Sequence, residues 1–490
     1  MYLGIDFGTT FSQIATIYLE QPTLLLNRGE YGIPSEFYYD NEWGILVGQE
    51  AKDAGQGIAA KNLVSEVKMA ILSGKTFVLD GRTFTAKDIV KEIYKTLILK
   101  AIQVAKSKNL NIEIEGVVLT IPVKFGIQEK NLIYEAASEC LEGTDIKVKA
   151  IIKEPVAAAI SYYNDITLMN NKNILVYDLG GGTCDIALVR ADLSSADQFT
   201  VIASDMVRIG GRDWDSELIN YIVSVIEYRY QIKINENAGY LEKIRRAAVS
   251  VKHELSNPEK EKAAARVELN GMVYSIIISR RTFDEITSHL LQQTFDCLLD
   301  MYDQYYKTCN IDEVICVGGS SNMCQVEEGL IKLFKDTDIK IRKFDPELAV
   351  VSGAAIYANT ETKLNDIASL SYGTDSNTHY GYPDNKEVLS IILKKGAKLP
   401  TTNSRNYCTV YDNQKTVAFN IYESEYVEDV ELSVPDKRFI GVVRLELPPN
   451  TPIDSSLKCA LSLNSNGLLD VEASGPLGKK VNATFRINQI

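Results

Sequence analysis

The sequence predicts two α/β lobes of one plan followed by an all-β domain, on three observations. A strand, an Asp, a glycine turn carrying Thr and a second strand run from Gly4-Ile5-Asp6-Phe7-Gly8-Thr9-Thr10 into Ser12, Ile14, Ala15 and Ile17. The same device returns a domain's length later: Ile174 to Tyr177, then Asp178-Leu179-Gly180-Gly181-Gly182-Thr183-Cys184-Asp185, then Ile186 to Val189. Beyond residue 366 the pattern changes to short alternating apolar runs broken by Pro435, Pro448-Pro449 and Gly475-Pro476.

A glycine run between strands also serves as a plain hairpin, so one copy says little. Two copies, each flanked by carboxylates, describe a pair of loops whose backbone N–H groups converge on an anion while the carboxylates hold a cation against it. A shared cleft gripping a polyphosphate from both sides follows.

Residues 1–50 read as strand-rich, with turns at Asn27-Arg28-Gly29, Gly32-Ile33-Pro34 and Asp40-Asn41. Ser73-Gly74-Lys75-Thr76 imitates the end of a P-loop, but Met69 stands where its first glycine belongs and no strand leads in. Periodicity alone makes Lys68 a solvated lysine. Ile89, Ile93, Leu97, Ala101 and Val104 predict a helix over Ala86–Ser107, Gly116 to Pro122 a buried strand, and Ile127–Cys140 a further helix. Lys153-Glu154-Pro155-Val156-Ala157-Ala158-Ala159-Ile160 starts a closely packed helix, where Glu154 is either a cap or a cleft-facing carboxylate. Gly210-Gly211-Arg212-Asp213-Trp214-Asp215 opens a helix through Ile226, and Val249, Lys252 and Ser256 share a face of a helix over Ile244 to Ser256. A third glycine turn, Gly318-Gly319-Ser320-Ser321, follows the strand Glu313 to Val317, and Asp345 to Ala355 closes the α/β part near Asn359. The β part alternates at Val417/Phe419/Ile421, Val430/Leu432/Val434, Val443/Leu445/Leu447, Cys459/Leu461/Leu463, Leu469/Val471/Ala473 and Val481/Ala483/Phe485/Ile487, with a hairpin signal at Asn466-Gly467. A compact sandwich or barrel is expected.

Length and charge narrow the function. With 490 residues and 45% hydrophobic content the chain can bury more than one core, and its net charge of −13 repels nucleic acid and anionic membrane. The opening Met1-Tyr2-Leu3-Gly4-Ile5-Asp6 has no basic region and no apolar run reaches a membrane span, so a cytoplasmic protein with neither nucleic-acid nor membrane partners is expected. Eight scattered cysteines without C-x-x-C, and three histidines, argue against zinc and against a disulfide framework.

The three glycine turns, the Lys153 to Ile160 helix, the Gly210 to Asp215 stretch and Asp412-Asn413-Gln414 in the β part together resemble the heat shock protein 70 family, the DnaK-like chaperones, over nearly the whole chain. That resemblance implies an actin-like two-lobed ATPase with duplicated ribonuclease H-like lobes over 1–359, a linker over 360–366, and an all-β sandwich over 367–490 that binds extended apolar polypeptide. It implies ATP/ADP and Mg²⁺ as cofactors, K⁺ as a candidate, and a J-domain co-chaperone and a nucleotide exchange factor as candidate partners. Gly8, Thr9, Thr10 and Gly180, Gly181 and Gly182 match phosphate-contacting positions. Asp6, Glu154, Asp178 and Asp185 match carboxylates that hold Mg²⁺ or its waters, Lys68 a lysine that positions the attacking water, and Thr183 a hydroxyl beside the γ-phosphate. Gly211, Lys252, Ser256, Gly318, Gly319, Ser320 and Glu347 match the region around the adenosine, and Tyr407, Val417 and Phe419 the apolar peptide pocket.

The chain also departs from that pattern. Val249 stands for a ribose-binding glutamate, His253 and Asn322 for arginines, and Cys184 for a phenylalanine, which implies a weaker grip on the nucleoside than on the phosphates. The segment Thr374 to Asn385 is longer than usual, Glu361 to Asn365 replaces an apolar linker, and the family's helical lid is missing. A low-turnover ATP-binding regulatory or scaffold module is the alternative. A sugar kinase or filament-forming relative of the same fold would lack the β extension.

Overall fold

The computed structural model describes all residues except 109–112, 166–170, 193, 195–197, 235–237, 379, 465–466 and 485–490. The chain divides into two compact units. Unit 1 comprises Met1–Val123, Glu139–Phe199 and Ser204–Thr362; unit 2 comprises Lys124–Ser138, Thr200–Ala203 and Lys363–Ile490.

Unit 1 repeats one sheet plan. In the first sheet, Tyr2–Phe7 lies parallel to Gly116–Ile121, which lies parallel to Lys147–Lys153; on its other side it forms a hairpin with Phe11–Tyr18, which pairs in turn with Gln21–Leu24. In the second, Lys172–Leu179 lies parallel to Glu313–Val317, which is followed by Lys340–Lys343, and forms a hairpin with Cys184–Ala191. Both glycine devices are therefore turns beside the central strand of a sheet. Such parallel strands are buried on both faces, which is why Gly116–Ile121 has no exposed residue.

Helix Ala86–Ser107 forms where the apolar spacing placed it, with Ile89, Ile93, Leu97, Ala101 and Val104 buried. The Thr85 hydroxyl accepts from the Asp88 N–H, and the Asp88 carboxylate accepts from the Thr85 N–H, a reciprocal cap. Glu154–Asp165 packs against Ala349–Asn359 so closely that a Cβ on Gly353 would overlap the Ala157 carbonyl, which explains the run of alanines. The helix expected over Ile244 to Ser256 is longer, Ala238–Leu255. Ser73 and Gly74 end the short helix Val67–Ser73, with Gly74 at φ 62° as its left-handed cap; no strand leads into a phosphate loop there.

Unit 2 is a sandwich of two antiparallel sheets around one core. One sheet orders Val430–Glu431, Glu387–Leu393, Ser371–Asn377, Thr416–Ser424 and Lys437–Glu446; the other orders Thr401–Cys408, Ser456–Leu463, Leu469–Ser474 and Lys480–Thr484. Leu393, Phe419, Ile421, Leu445, Leu461 and Val471 fill the space between them. The alternation at Val430/Leu432/Val434 yields only a two-residue strand, because the chain turns at Leu432. Asn466 of the expected hairpin, and Phe485 and Ile487 of the expected last strand, lie outside the described residues.

The segment Lys124–Ser138 also belongs to unit 2. Its Ile127 joins the sandwich core, and its Glu129 and the sandwich's Glu423 are both about 2% exposed. Arg438 bonds both carboxylates: Nη2 donates to Glu129 Oε2 at 2.6 Å and Nε to Glu423 Oε1 at 2.5 Å. Glu423 further accepts from the Ile127 N–H at 3.0 Å. A Cβ on Gly126 would press on the Glu423 carboxylate and the Arg438 guanidinium and displace their pairing.

Candidate functional site

Within unit 1 the two glycine turns face each other. A Cβ on Gly181 would strike the Thr10 hydroxyl, and one on Gly182 would stand 3.1 Å from the Thr9 methyl. The Gly180 N–H donates to the Thr183 carbonyl at 2.9 Å, which tightens the second turn. The third turn arrives at the same place: a Cβ on Gly318, at φ 81°, would overlap the Asp178 carboxylate and the Leu179 carbonyl.

Beneath the turns stand the expected charged groups. Asp178 and Asp185 are opposite each other in the hairpin register, and both are buried. Asp6 accepts from the Thr120 hydroxyl at 2.7 Å, and Asp185 from the Val123 N–H at 2.7 Å. Lys68 is about 5% exposed and pairs with Glu154 at 2.5 Å. The solvated-lysine expectation is thus overturned: the Val67–Ser73 helix turns this residue inward. Glu154 faces the site with no cap bond of its own; its partner is the ammonium.

These carboxylates surround an ammonium rather than a bare metal cage. Among the described residues, no three His, Cys, Asp or Glu side chains are grouped to hold a metal ion. Of Asp6, Glu154 and Asp178, expected as metal ligands, Glu154 is paired with the Lys68 ammonium. The all-oxygen donor set still fits Mg²⁺, which takes one or two carboxylates and fills its octahedron with waters and phosphate oxygens.

The adenosine-side residues gather in part. A Cβ on Gly211 would overlap the Ser320 hydroxyl, and Lys252 donates to the Gly211 carbonyl and to Asp215, each at 2.8 Å. The Ser256 hydroxyl donates to the Lys252 carbonyl at 2.8 Å. Gly319 begins a short 3₁₀ turn reaching Asn322, and Glu347 is exposed. In unit 2, the Tyr407 and Phe419 rings meet at 5.7 Å; Phe419 is buried in the core, while Tyr407 and Val417 are partly buried at its margin.

Thr120, the Val123 N–H and Arg212 were not singled out from the sequence. Their roles depend on partners more than sixty residues away, and no local pattern signals them.

Charge in this pocket is out of balance. Burial alone would lower the Lys68 ammonium, but Glu154, Asp6 and Asp185 together raise it, so it stays charged. Burial raises Glu154 well above the usual carboxylate range. Burial, then the neighbouring Asp185 and Asp6, push Asp178 up to about 8. A group whose pKa is higher folded than unfolded costs stability as pH rises from its unfolded value, about 4, through its folded value. The metal-free protein is therefore expected to lose thermal stability between about pH 5 and pH 8, and Asp178→Asn to lose less over that interval. Mg²⁺ with nucleotide should restore most stability at the alkaline end, with proton release. Calorimetry checks both; equal slopes for the two proteins would refute the Asp178 assignment.

Two sheets of one plan, with glycine loops face to face over carboxylates and a buried lysine, define an actin-like two-lobed ATPase, here followed by a β-sandwich. The chain belongs to the family described as Hsp70 protein, which it matches over residues 2–489. It is similar to "Chaperone protein DnaK" of Psychrobacter cryohalolentis, 26% identical over 514 residues that cover 96% of this chain and 75% of the relative. Hsp70 proteins are ATPases that bind ATP and ADP with Mg²⁺, and DnaK-like chaperones bind unfolded polypeptides and co-chaperones. The chain is an ATPase of this family. No described helix is long and apolar enough to cross a membrane.

Proposed function

We propose that this chain is an ATP-dependent DnaK-like chaperone, in which residues 1–359 hydrolyse ATP slowly and residues 367–490, joined by 360–366, hold extended apolar polypeptide. The observation that carries this reading is the meeting of the Gly8 to Thr10 and Gly180 to Thr183 loops over Lys68 and the four carboxylates. Loop N–H groups and the Thr9 and Thr10 hydroxyls would bind phosphate oxygens, and Thr183 would lie beside the γ-phosphate. Lys68, held charged, would orient the attacking water and offset phosphoryl charge, while Glu154 fixes the ammonium. Asp6, Glu154, Asp178 and Asp185 would hold Mg²⁺ or its waters, and the ion would supply further neutralisation of phosphoryl charge. Gly211, Lys252, Ser256, Gly318, Gly319, Ser320 and Glu347 would border the adenosine. K⁺ beside the phosphates, a J-domain co-chaperone, a nucleotide exchange factor and a cytoplasmic setting complete the proposal.

In the sandwich, Tyr407, Val417 and Phe419 would supply the apolar pocket, with strand-edge hydrogen bonds giving affinity. The acceleration of peptide release by ATP is expected to stay below a hundredfold. Leu364 is the one sizeable apolar side chain from Glu361 to Asn365. A single leucine contributes about 1.5–3 kcal/mol when fully buried, less bias than a run of them would give. Single-turnover ATP hydrolysis with and without an apolar peptide, alongside fluorescence-detected release in ATP and ADP, tests the reading. Binding without turnover would favour the regulatory module suggested by Val249 and Asn322.

A further inference from the structure

Arg212 lies at the phosphate loops without a part in the chemistry assigned to them. Its backbone N–H donates to the Gly181 carbonyl at 3.0 Å, and the preceding Gly211 N–H to the Gly180 carbonyl at 2.9 Å, so the start of the Gly211–Tyr230 helix is bonded to the second glycine loop. The Gly210 N–H donates to Asp213 Oδ2 at 2.8 Å, which fixes the turn before it. From this fixed base the side chain crosses to the first lobe. Nη2 donates to the Thr9 carbonyl at 2.8 Å, in the first glycine loop. Nη1 pairs with Glu66 at 3.1 Å. Glu66 is the residue before the Val67–Ser73 helix, held at φ 69°, and Lys68 is that helix's second residue.

One residue thus touches both phosphate loops and the base of the helix that presents Lys68. We propose that Arg212 is a positioning residue that sets the spacing of the two glycine loops and the placement of Lys68, and so governs the grip on the β- and γ-phosphates. The inference rests on the reading of these loops as the phosphate site. Chemistry favours arginine in this position, since a planar guanidinium serves two acceptors at a fixed angle, whereas an ammonium on a flexible stem fixes neither direction. Of the two side-chain contacts, the carbonyl bond matters more. Thr9 is buried, whereas the Glu66 side chain is 56% exposed, and exposed ion pairs contribute little.

The test compares wild type, Arg212→Met, Arg212→Lys, Glu66→Gln and Lys68→Met by calorimetric binding of ATP, ADP and adenosine, by single-turnover hydrolysis, and by nucleotide-free melting temperature. Arg212→Met is expected to weaken ATP and ADP about tenfold or more, the loss of one charged hydrogen bond, while adenosine binding stays level. Arg212→Lys should recover part of that loss, and Glu66→Gln should lose only a few-fold. If Arg212→Met does not fold, the ATP-to-adenosine affinity ratios of Arg212→Lys and Glu66→Gln decide the matter by the same criterion. Unchanged ratios in the Arg212 variants, with hydrolysis lost in Lys68→Met, would overturn the inference and leave the phosphate site standing. A wild type that binds ATP no better than adenosine, with hydrolysis indifferent to Lys68→Met, would overturn both.

Discussion

Lys68→Ala and Asp178→Ala are each expected to reduce single-turnover ATP hydrolysis tens-fold or more and to leave a folded protein. The size follows from the type of contact removed: a fixed charge in a water-poor site, aimed where charge develops, is worth several kcal/mol in the transition state. Survival of the fold follows from the pocket's surplus of negative charge. Without Lys68, Glu154 protonates, as burial already favours. Without Asp178, a buried carboxylate that costs stability when ionised is gone. Quenched-flow turnover beside a melting curve checks both halves, and wild-type rates in the two variants would remove this pocket from the reaction.

Arg438→Met is expected to destabilise unit 2 strongly. It strips the shared cation from Glu129 and Glu423, and breaking a buried ionic network by removing one partner costs about 3–5 kcal/mol. Arg438 itself is 36% exposed, so the lower end of that range applies. Burial already raises the Glu423 pKa while Arg438 holds it down, and losing the guanidinium leaves that carboxylate to protonate. The variant should therefore lose less stability in acid than near neutrality. Glu129→Gln with Glu423→Gln in the Arg438→Met background should recover part of the loss. Urea unfolding at two pH values measures this; an unchanged midpoint would show that the bonds carry no net stability.

Periodicity placed the elements well because it reports burial directly. The Ala86–Ser107 and Ile127–Cys140 helices and the strand–turn–strand at Asp178 form where their apolar spacing puts them. It failed where a charge is buried by a remote partner. Lys68 meets Glu154 across 86 positions and Arg438 meets Glu129 across 309, and nothing in a short window of sequence tells such a charge from a solvated one. The resemblance carried by the glycine motifs supplied Lys68. No motif supplied Arg438, and the Gly210 to Asp215 motif contains Arg212 without giving it a role, since each works through backbone or carboxylate groups of another segment. In the β part, alternation marked Thr416–Ser424, Lys437–Glu446, Ser456–Leu463 and Leu469–Ser474 but not Ser371–Asn377, Glu387–Leu393 or Thr401–Cys408, and at Leu432 it continues where a turn intervenes.

The composition of unit 2 sets an order of events during synthesis. Lys124–Ser138 leaves the ribosome long before Arg438, 309 residues after Glu129, and at about 5–20 residues per second the delay is roughly 15–60 s. For that interval Ile127 and Glu129 lack the side chains that later enclose them, although the strands around Asp6 and Thr120 can already pair. Contacts this far apart in the chain form slowly because a long loop must close first. The nascent chain therefore carries an apolar segment with an unpartnered Glu129 open to water until the sandwich is made, and a fragment that begins at residue 367 never acquires Glu129, one of the two carboxylates that Arg438 bonds.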